Sequence, residues 1–113
     1  MTKDILRIDP LARPAVVGHV RLLMALRKLS EQVAETRRVA IRGVEVRPAW
    51  SHEDNDRSRV VVEIQIDAAS EQRFTYWEDL SDRVESFADS LSRRERLFVN
   101  SSLSILVSSS RGV

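Results

Sequence analysis

The chain has 113 residues, 42% of them hydrophobic and 31% charged, which is the balance of an ordinary globular protein and excludes a fully disordered chain. Its 18 basic and 17 acidic side chains give a net charge of +1, so bulk electrostatics favours neither nucleic acid nor an anionic membrane as a partner. The absence of cysteine excludes disulfides, thiolate nucleophiles and thiolate metal ligands. We expect one domain over residues 1–113, because this length supports one hydrophobic core and not two.

The N-terminal stretch MTKDILRIDP lacks the apolar run of a secretory signal, and the longest apolar run in the chain is far shorter than a membrane span. We therefore expect a cytoplasmic protein with no membrane partner. Residues 1–12 are interpreted as an arm or, through the piece DILRID at 4–9, as a short first strand.

A first helix is predicted over residues 14–37. Pro14 suits a first helical position. Apolar residues then recur at steps of three or four, at Val16, Val20, Leu23, Leu26, Leu29 and Val33. Leu22 and Met24 widen this stripe beyond what one sheet face requires, which makes Leu22 a candidate interface residue.

Two strands are predicted over residues 39–50 and 59–67, joined by a short polar segment as an antiparallel hairpin. In the first strand the apolar residues are odd-numbered before Gly43 (Val39 and Ile41) and even-numbered after it (Val44 and Val46), so a regular strand could not bury both pairs on one face. This change predicts a bulge at Gly43. In the second strand Val60, Val62, Ile64 and Ile66 share one face, and Val61, Glu63, Gln65 and Asp67 share the other. The second face is expected to be open, and Val61 and Glu63 are taken as interface candidates on it.

A second helix is predicted over residues 71–91, with Ser70 as its cap. Its apolar stripe is Phe74, Trp77, Leu80, Val84, Phe87 and Leu91. Trp77 is therefore assigned to the core. Tyr76 lies off this stripe and is interpreted either as an interface residue or as an ordinary residue of the helix surface.

After this helix, Ser92 and Glu95 have the spacing of a capping box and predict a short helical turn. A last strand is predicted over 102–108, followed by a loose tail at 109–113. The fold class is α+β, with two helices packed on one face of a small antiparallel-rich sheet. If residues 4–9 form a strand, the order is the ferredoxin-like βαββαβ; if not, it is αββαβ with three strands.

The segment SHEDNDR at 51–57 concentrates possible metal ligands, including His52. A calcium loop beginning at Asp54 would require Gly at its sixth position and Glu at its twelfth, where this chain has Arg59 and Gln65. A zinc site would require further nitrogen or sulfur ligands that the segment lacks. We interpret the segment as a hydrated hairpin loop. His52, and His19 at the border of the first helical stripe, remain secondary candidates for a functional role.

The three glycines, Gly18, Gly43 and Gly112, lie too far apart for a phosphate-binding glycine loop or a GxSxG motif. We predict no catalytic residue, cofactor or metal. The function favoured is a non-enzymatic interaction or assembly module that binds itself or another protein. We expect replacement of Val61 by Arg or Asp, or introduction of Pro within residues 59–67, to disrupt assembly more than replacement of His52. One alternative is a ligand-binding or enzymatic domain with a pocket between sheet and helices. Another is a nucleic-acid accessory protein, which the acidic, aromatic-free face of 59–67 disfavours.

Overall fold

The computed structural model describes residues 6–49 and 59–109 of the chain. It has the predicted α+β class, with a four-stranded sheet whose strand order is β1-β2-β3-β4. The elements in chain order are β1 (Leu6–Ile8), α1 (Arg13–Val16), α2 (Val20–Arg37), β2 (Ala40–Pro48), β3 (Val60–Asp67), α3 (Ser70–Asp89), α4 (Arg93–Ser102) and β4 (Leu103–Ser109). The piece at 4–9 therefore contributes a strand rather than an arm.

The sheet is mixed. β2 and β3 form the predicted antiparallel hairpin, but β1 pairs with β2 in parallel and β3 pairs with β4 in parallel. The expectation of an antiparallel-rich sheet is wrong for the described strands, since two of their three pairings are parallel. The ferredoxin-like order is not confirmed either, because its split βαβ units have another strand between the two parallel ones, whereas here each helical connection joins neighbouring strands.

The two helical connections have opposite hands. Both return over the same face of the sheet, since α2 and α3 pack on each other and share one core with the strands. The steps from β1 to β2 and from β3 to β4 also go in the same direction across the sheet, yet β1 and β3 run antiparallel to each other. Connections of that kind are mirror-related, so one of them departs from the right-handed rule that governs nearly all βαβ units.

The core lies between this sheet and the helices. All four residues predicted to point inward from β3, Val60, Val62, Ile64 and Ile66, are buried. The predicted bulge is confirmed, because the β2–β3 register shifts between Ile41 and Gly43. The shift lets both Ile41 and Val44 pair with core-facing residues of β3, which a regular strand could not do.

The predicted helix over 14–37 is interrupted. Gly18 has φ of +88° and separates α1 from α2. That left-handed conformation is open to glycine at little steric cost. A Cβ at this position would also lie 2.8 Å from Nη2 of Arg94 in α4. The junction between α1 and α2 therefore packs closely against the Arg94 side chain, and a larger residue than glycine would not fit without a shift.

The second helix is rotated relative to its predicted orientation. Its buried residues are Tyr76, Leu80, Val84 and Ala88, which follow one another at steps of four. Phe74 is 60% exposed and Trp77 43% exposed, so the assignment of Trp77 to the core is wrong. Ser70 is the first helical residue rather than the cap; the preceding Ala69 holds the cap position, and its N–H donates to Oε1 of Gln72 at 3.3 Å.

The helix start predicted at Ser92 is confirmed, with Ser92 as the N-cap of α4. The Glu95 N–H donates to Oγ of Ser92 at 3.3 Å, and this hydroxyl donates back to the Glu95 carboxylate. The helix that follows is ten residues long rather than a single turn, and it buries Phe98. β4 then begins directly at Leu103 and extends through Ser109, one residue into the segment expected to be a tail; residues 110–113 lie outside the described residues.

Candidate functional site at the β4 edge

The edges of the described sheet are β1 and β4. β3 pairs with β2 on one side and with β4 on the other, so residues 59–67 do not form an edge of the described sheet. β1 has three residues with Arg7 at its centre. β4 has seven residues, LSILVSS, with no charge, no proline and no glycine. β4 is therefore the edge of this sheet with the longer and less protected row of backbone groups.

A groove of about 450 Å³ runs beside β4, between that strand and the helices α3 and α4. Its apolar lining includes Val84 and Ala88 from α3, Val99 from α4, and Leu103 and Ile105 from β4. Charged side chains of both signs also line the groove, namely Glu85, Asp89 and Arg96. The lining thus combines apolar side chains with charges of both signs, as protein docking surfaces commonly do.

Trp77 lines one end of the groove. Its ring is paired with that of Phe74, with centroids 6.4 Å apart and an interplanar angle of 28°. Phe74 is 60% exposed and Trp77 43% exposed, although their spacing of three residues is typical of the buried face of a helix. Two neighbouring exposed aromatic rings beside an open strand form a patch that binding could remove from water.

The open face of the sheet carries the two interface candidates Val61 and Glu63, both half-buried. Glu63 is engaged within the chain: it accepts from Nη2 of Arg47 at 2.9 Å and from Oγ of Ser108 at 2.8 Å. Its carboxylate therefore links β2, β3 and β4, and any partner would have to compete with both contacts. None of the described strands places an aromatic side chain on this face.

Tyr76 and Leu22 are not at the surface of the described chain. Tyr76 is 0% exposed and Leu22 2% exposed. The Tyr76 hydroxyl donates to the carbonyl oxygen of Ser30 in α2 at 2.9 Å. Burial raises the pKa of Tyr76 to about 12, against a smaller lowering by a side-chain hydrogen bond with Ser30. Leu22 of α2 and Tyr76 of α3 pack in the core and do not line the groove, so neither is an interface residue of the described chain.

His19 occupies the N-cap position of α2, and its ring stacks on that of Phe98 with centroids 4.0 Å apart. Burial lowers the pKa of His19, and the charge of Arg94 lowers it further, against an opposing effect of Glu95. Its Nδ1 is buried and has no hydrogen-bond partner among the described residues. His19 is not part of the groove lining, and this stacking joins the α1–α2 junction to α4.

His52 and the rest of the SHEDNDR segment lie outside the described residues. Within 6–49 and 59–109, no group of three or more His, Asp or Glu side chains is placed to hold a metal ion. In the same part of the chain, no helix combines the length and apolar character needed to cross a membrane.

Comparisons with protein-family models, with curated proteins and with solved structures found no match. The candidate site is therefore identified from its geometry alone. The combination of an edge strand and a groove was not predicted from the sequence, although one signal for it was present. LSILVSS is the only one of the described strands without a charged residue, and strands that end a sheet usually carry one.

Proposed function

We propose that the chain is a small non-enzymatic protein–protein interaction module that binds its partner along β4 and the adjoining groove. The observation that carries this proposal is the uncharged seven-residue edge strand beside an apolar groove. A strand at a sheet edge presents a row of backbone N–H and C=O groups, and a partner strand can complete the pairing. Side chains on either side of that strand then supply specificity.

The contrast with β1 supports the choice of β4. Natural edges are protected by short length, charge or proline, and β1 has the first two of these features through its three residues and Arg7. β1 is followed within two residues by Pro10. β4 has none of these protections. The aromatic pair Phe74 and Trp77 adds exposed apolar area near the same edge, and such rings often dominate binding energy.

The test is site-specific photo-crosslinking in living cells. A benzophenone amino acid replaces Leu106, a residue of the edge strand β4 that is 44% exposed and lies on the same uncovered face of the sheet as Glu63. The matched control carries the same group at Arg21, an exposed position on α2. The proposal expects one discrete covalent adduct from position 106, formed with this chain or with another protein, and none from position 21. The absence of an adduct from position 106, or equal labelling from both positions, would contradict the proposal.

A second experiment separates the edge from the open face. Leu106→Lys places a charge on β4, whereas Val61→Lys places the same charge on the central strand β3. Because position 106 is mutated here, the benzophenone amino acid is moved to Ser104, which is also exposed on β4. Binding through the edge predicts that the adduct formed from position 104 is lost in Leu106→Lys and retained in Val61→Lys. The reverse result would transfer the binding surface to the open face, where the sequence had placed Val61 and Glu63.

A ligand-binding function is the second candidate, because a groove of about 450 Å³ falls within the range of small-molecule sites. Its test uses 8-anilinonaphthalene-1-sulfonate as an apolar anionic probe. Saturable one-to-one binding that is abolished by Val99→Trp, which would fill the groove, and retained in Leu106→Lys would favour this function. Weak binding without saturation, insensitive to Val99→Trp, would exclude it.

A further inference from the structure

Resting on the function proposed above, we infer that the partner is a second copy of this chain, whose β4 pairs antiparallel with β4 of the first. The two four-stranded sheets then form one continuous sheet of eight strands about a two-fold axis at Leu106. A two-fold axis makes the same surface serve on both copies, so the strand must be complementary to itself. The sequence and environment of β4 meet this condition.

Residues 104–108 read Ser-Ile-Leu-Val-Ser, which is chemically the same in both directions. Antiparallel pairing centred on Leu106 places Ser104 opposite Ser108, Ile105 opposite Val107, and Leu106 opposite its own copy. A shift of the centre by one residue would place serine opposite leucine. Since directly opposed side chains are the unit of sheet stabilisation, the centred register is the favoured one.

The two faces of β4 are also compatible with this pairing. Ile105 and Val107 point toward the core, as their pairing with Val62 and Ile64 of β3 shows. Continued across the axis, they extend the apolar layer of one copy into the other. On the open face, the Ser108 hydroxyl donates to Glu63, so its lone pairs can accept from Ser104 of the second copy. The exposed Leu106 side chains meet at the axis.

The helices favour the same arrangement. An axis perpendicular to the sheet keeps the helices of both copies on one side, so the groove of one copy faces the groove of the other. Trp77, 43% exposed at the end of the groove, lies on the side of the sheet where the second copy adds its helices. Antiparallel pairing of β1 with its own copy would instead oppose Arg7 to Arg7, two like charges in direct register.

The chain contains no cysteine, which allows a direct test of this register with single-cysteine variants. Across the proposed axis, the Cα atoms of position 106 would be about 4.5–5.5 Å apart, inside the range of about 4.4–6.8 Å that a disulfide spans. Position 104 lies four residues from its own copy along the strand, about 13 Å away. Leu106→Cys should therefore form a covalent dimer on mild oxidation, while Ser104→Cys alone should not.

A mixture of Ser104→Cys and Ser108→Cys should form the disulfide that neither forms alone, and Arg21→Cys serves as the surface control. Light scattering after size exclusion at micromolar concentration should give the mass of a dimer for the unmodified chain. Leu106→Lys should weaken dimerisation by about tenfold or more, because it opposes two ammonium groups at the axis and removes two apolar side chains from the interface.

A monomeric mass with no disulfide from Leu106→Cys would overturn the second copy as the partner. If the photo-crosslinker at 106 still produced an adduct with another protein, the interaction function would stand with a different occupant. If it produced none, both proposals would fail. Equal disulfide yields from Ser104→Cys and Leu106→Cys would refute the register centred on Leu106.

Discussion

Replacing Tyr76 by phenylalanine tests the central contact between the two long helices. The change removes only the hydroxyl, which donates to the Ser30 carbonyl at 2.9 Å inside the core. A hydrogen bond of this kind contributes about 0.5–1.5 kcal/mol to the free energy of unfolding. At neutral pH we therefore expect Tyr76→Phe to lower this free energy by about 1 kcal/mol, with the apolar packing of the ring retained.

The pH dependence gives a sharper expectation. Burial raises the pKa of Tyr76 to about 12, whereas an unfolded tyrosine titrates near 10. Because the folded-state pKa is the higher one, the stability linked to the neutral phenol is fully present below pH 10 and is lost as the pH rises from 10 through 12. At pH 11 this loss is about 1.4 kcal/mol, which cancels the neutral-pH advantage of the natural protein. The two stability curves should therefore meet at about pH 11.

The assay is urea unfolding, followed by far-ultraviolet circular dichroism, at pH values from 7 to 11.5 for both proteins. Other groups that titrate in alkali are common to both and cancel in the difference. A constant difference over the whole range would refute the buried neutral phenol as the source of the effect. A neutral-pH difference near zero would refute the contribution of the hydrogen bond to Ser30.

Gly18→Ala should lower the free energy of unfolding by about 1–2 kcal/mol, because it adds a Cβ 2.8 Å from Arg94 at a residue with positive φ. Gly43→Ala should cost less in the same urea titration, because its Cβ would lie at an ordinary 3.7 Å from Gln65. Ser92→Ala should cost about 1 kcal/mol through loss of the α4 cap, and an unchanged unfolding midpoint would count against that cap. Burial makes the pKa of His19 lower in the folded chain than in the unfolded chain, so the stability gained by keeping its ring neutral is present above pH 6.5 and is lost as the pH falls. His19→Phe should therefore make the free energy of unfolding less dependent on pH on the acid side.

Strand faces could be predicted from sequence because the period of two is local and unambiguous. Val60, Val62, Ile64 and Ile66 are buried, whereas the residues between them are half-buried or exposed, and burial on one side fixes the register of the whole strand. The bulge at Gly43 followed from the same reasoning, since a change of parity has few structural solutions. The N-cap at Ser92 was predictable because its hydrogen bond to the Glu95 N–H spans only three residues.

The orientation of α3 could not be obtained in the same way. Trp77 and Tyr76 are adjacent, about 100° apart on the helix, and each continues to Leu80 and Val84 at an acceptable helical step. The choice between them depends on α2, where the Ser30 carbonyl provides the partner that a buried tyrosine needs. That partner is 46 residues away in the sequence, so no local pattern identifies it.

The candidate site was inaccessible from sequence for a related reason. Its location depends on strand order, and the apolar pattern of β3 is the same in a central strand as in an edge strand that is buried on one side. Once β4 is known to be the edge, the missing charge in LSILVSS becomes informative. The earlier interface candidates Val61 and Glu63 belong to the open face and not to this edge.

The opposite hands of the two helical connections bear on how the chain holds together. Residues up to Pro48 and residues from Val60 onward each form a strand–helix–strand unit, but local sterics favour only one of the two hands. The disfavoured unit depends on contacts with its neighbour, among them Tyr76 to Ser30 and Phe98 to His19. At least one of the two halves, expressed as a separate fragment, should therefore be largely unstructured alone and gain structure when mixed with the other, so that unfolding of the intact chain is a single cooperative event.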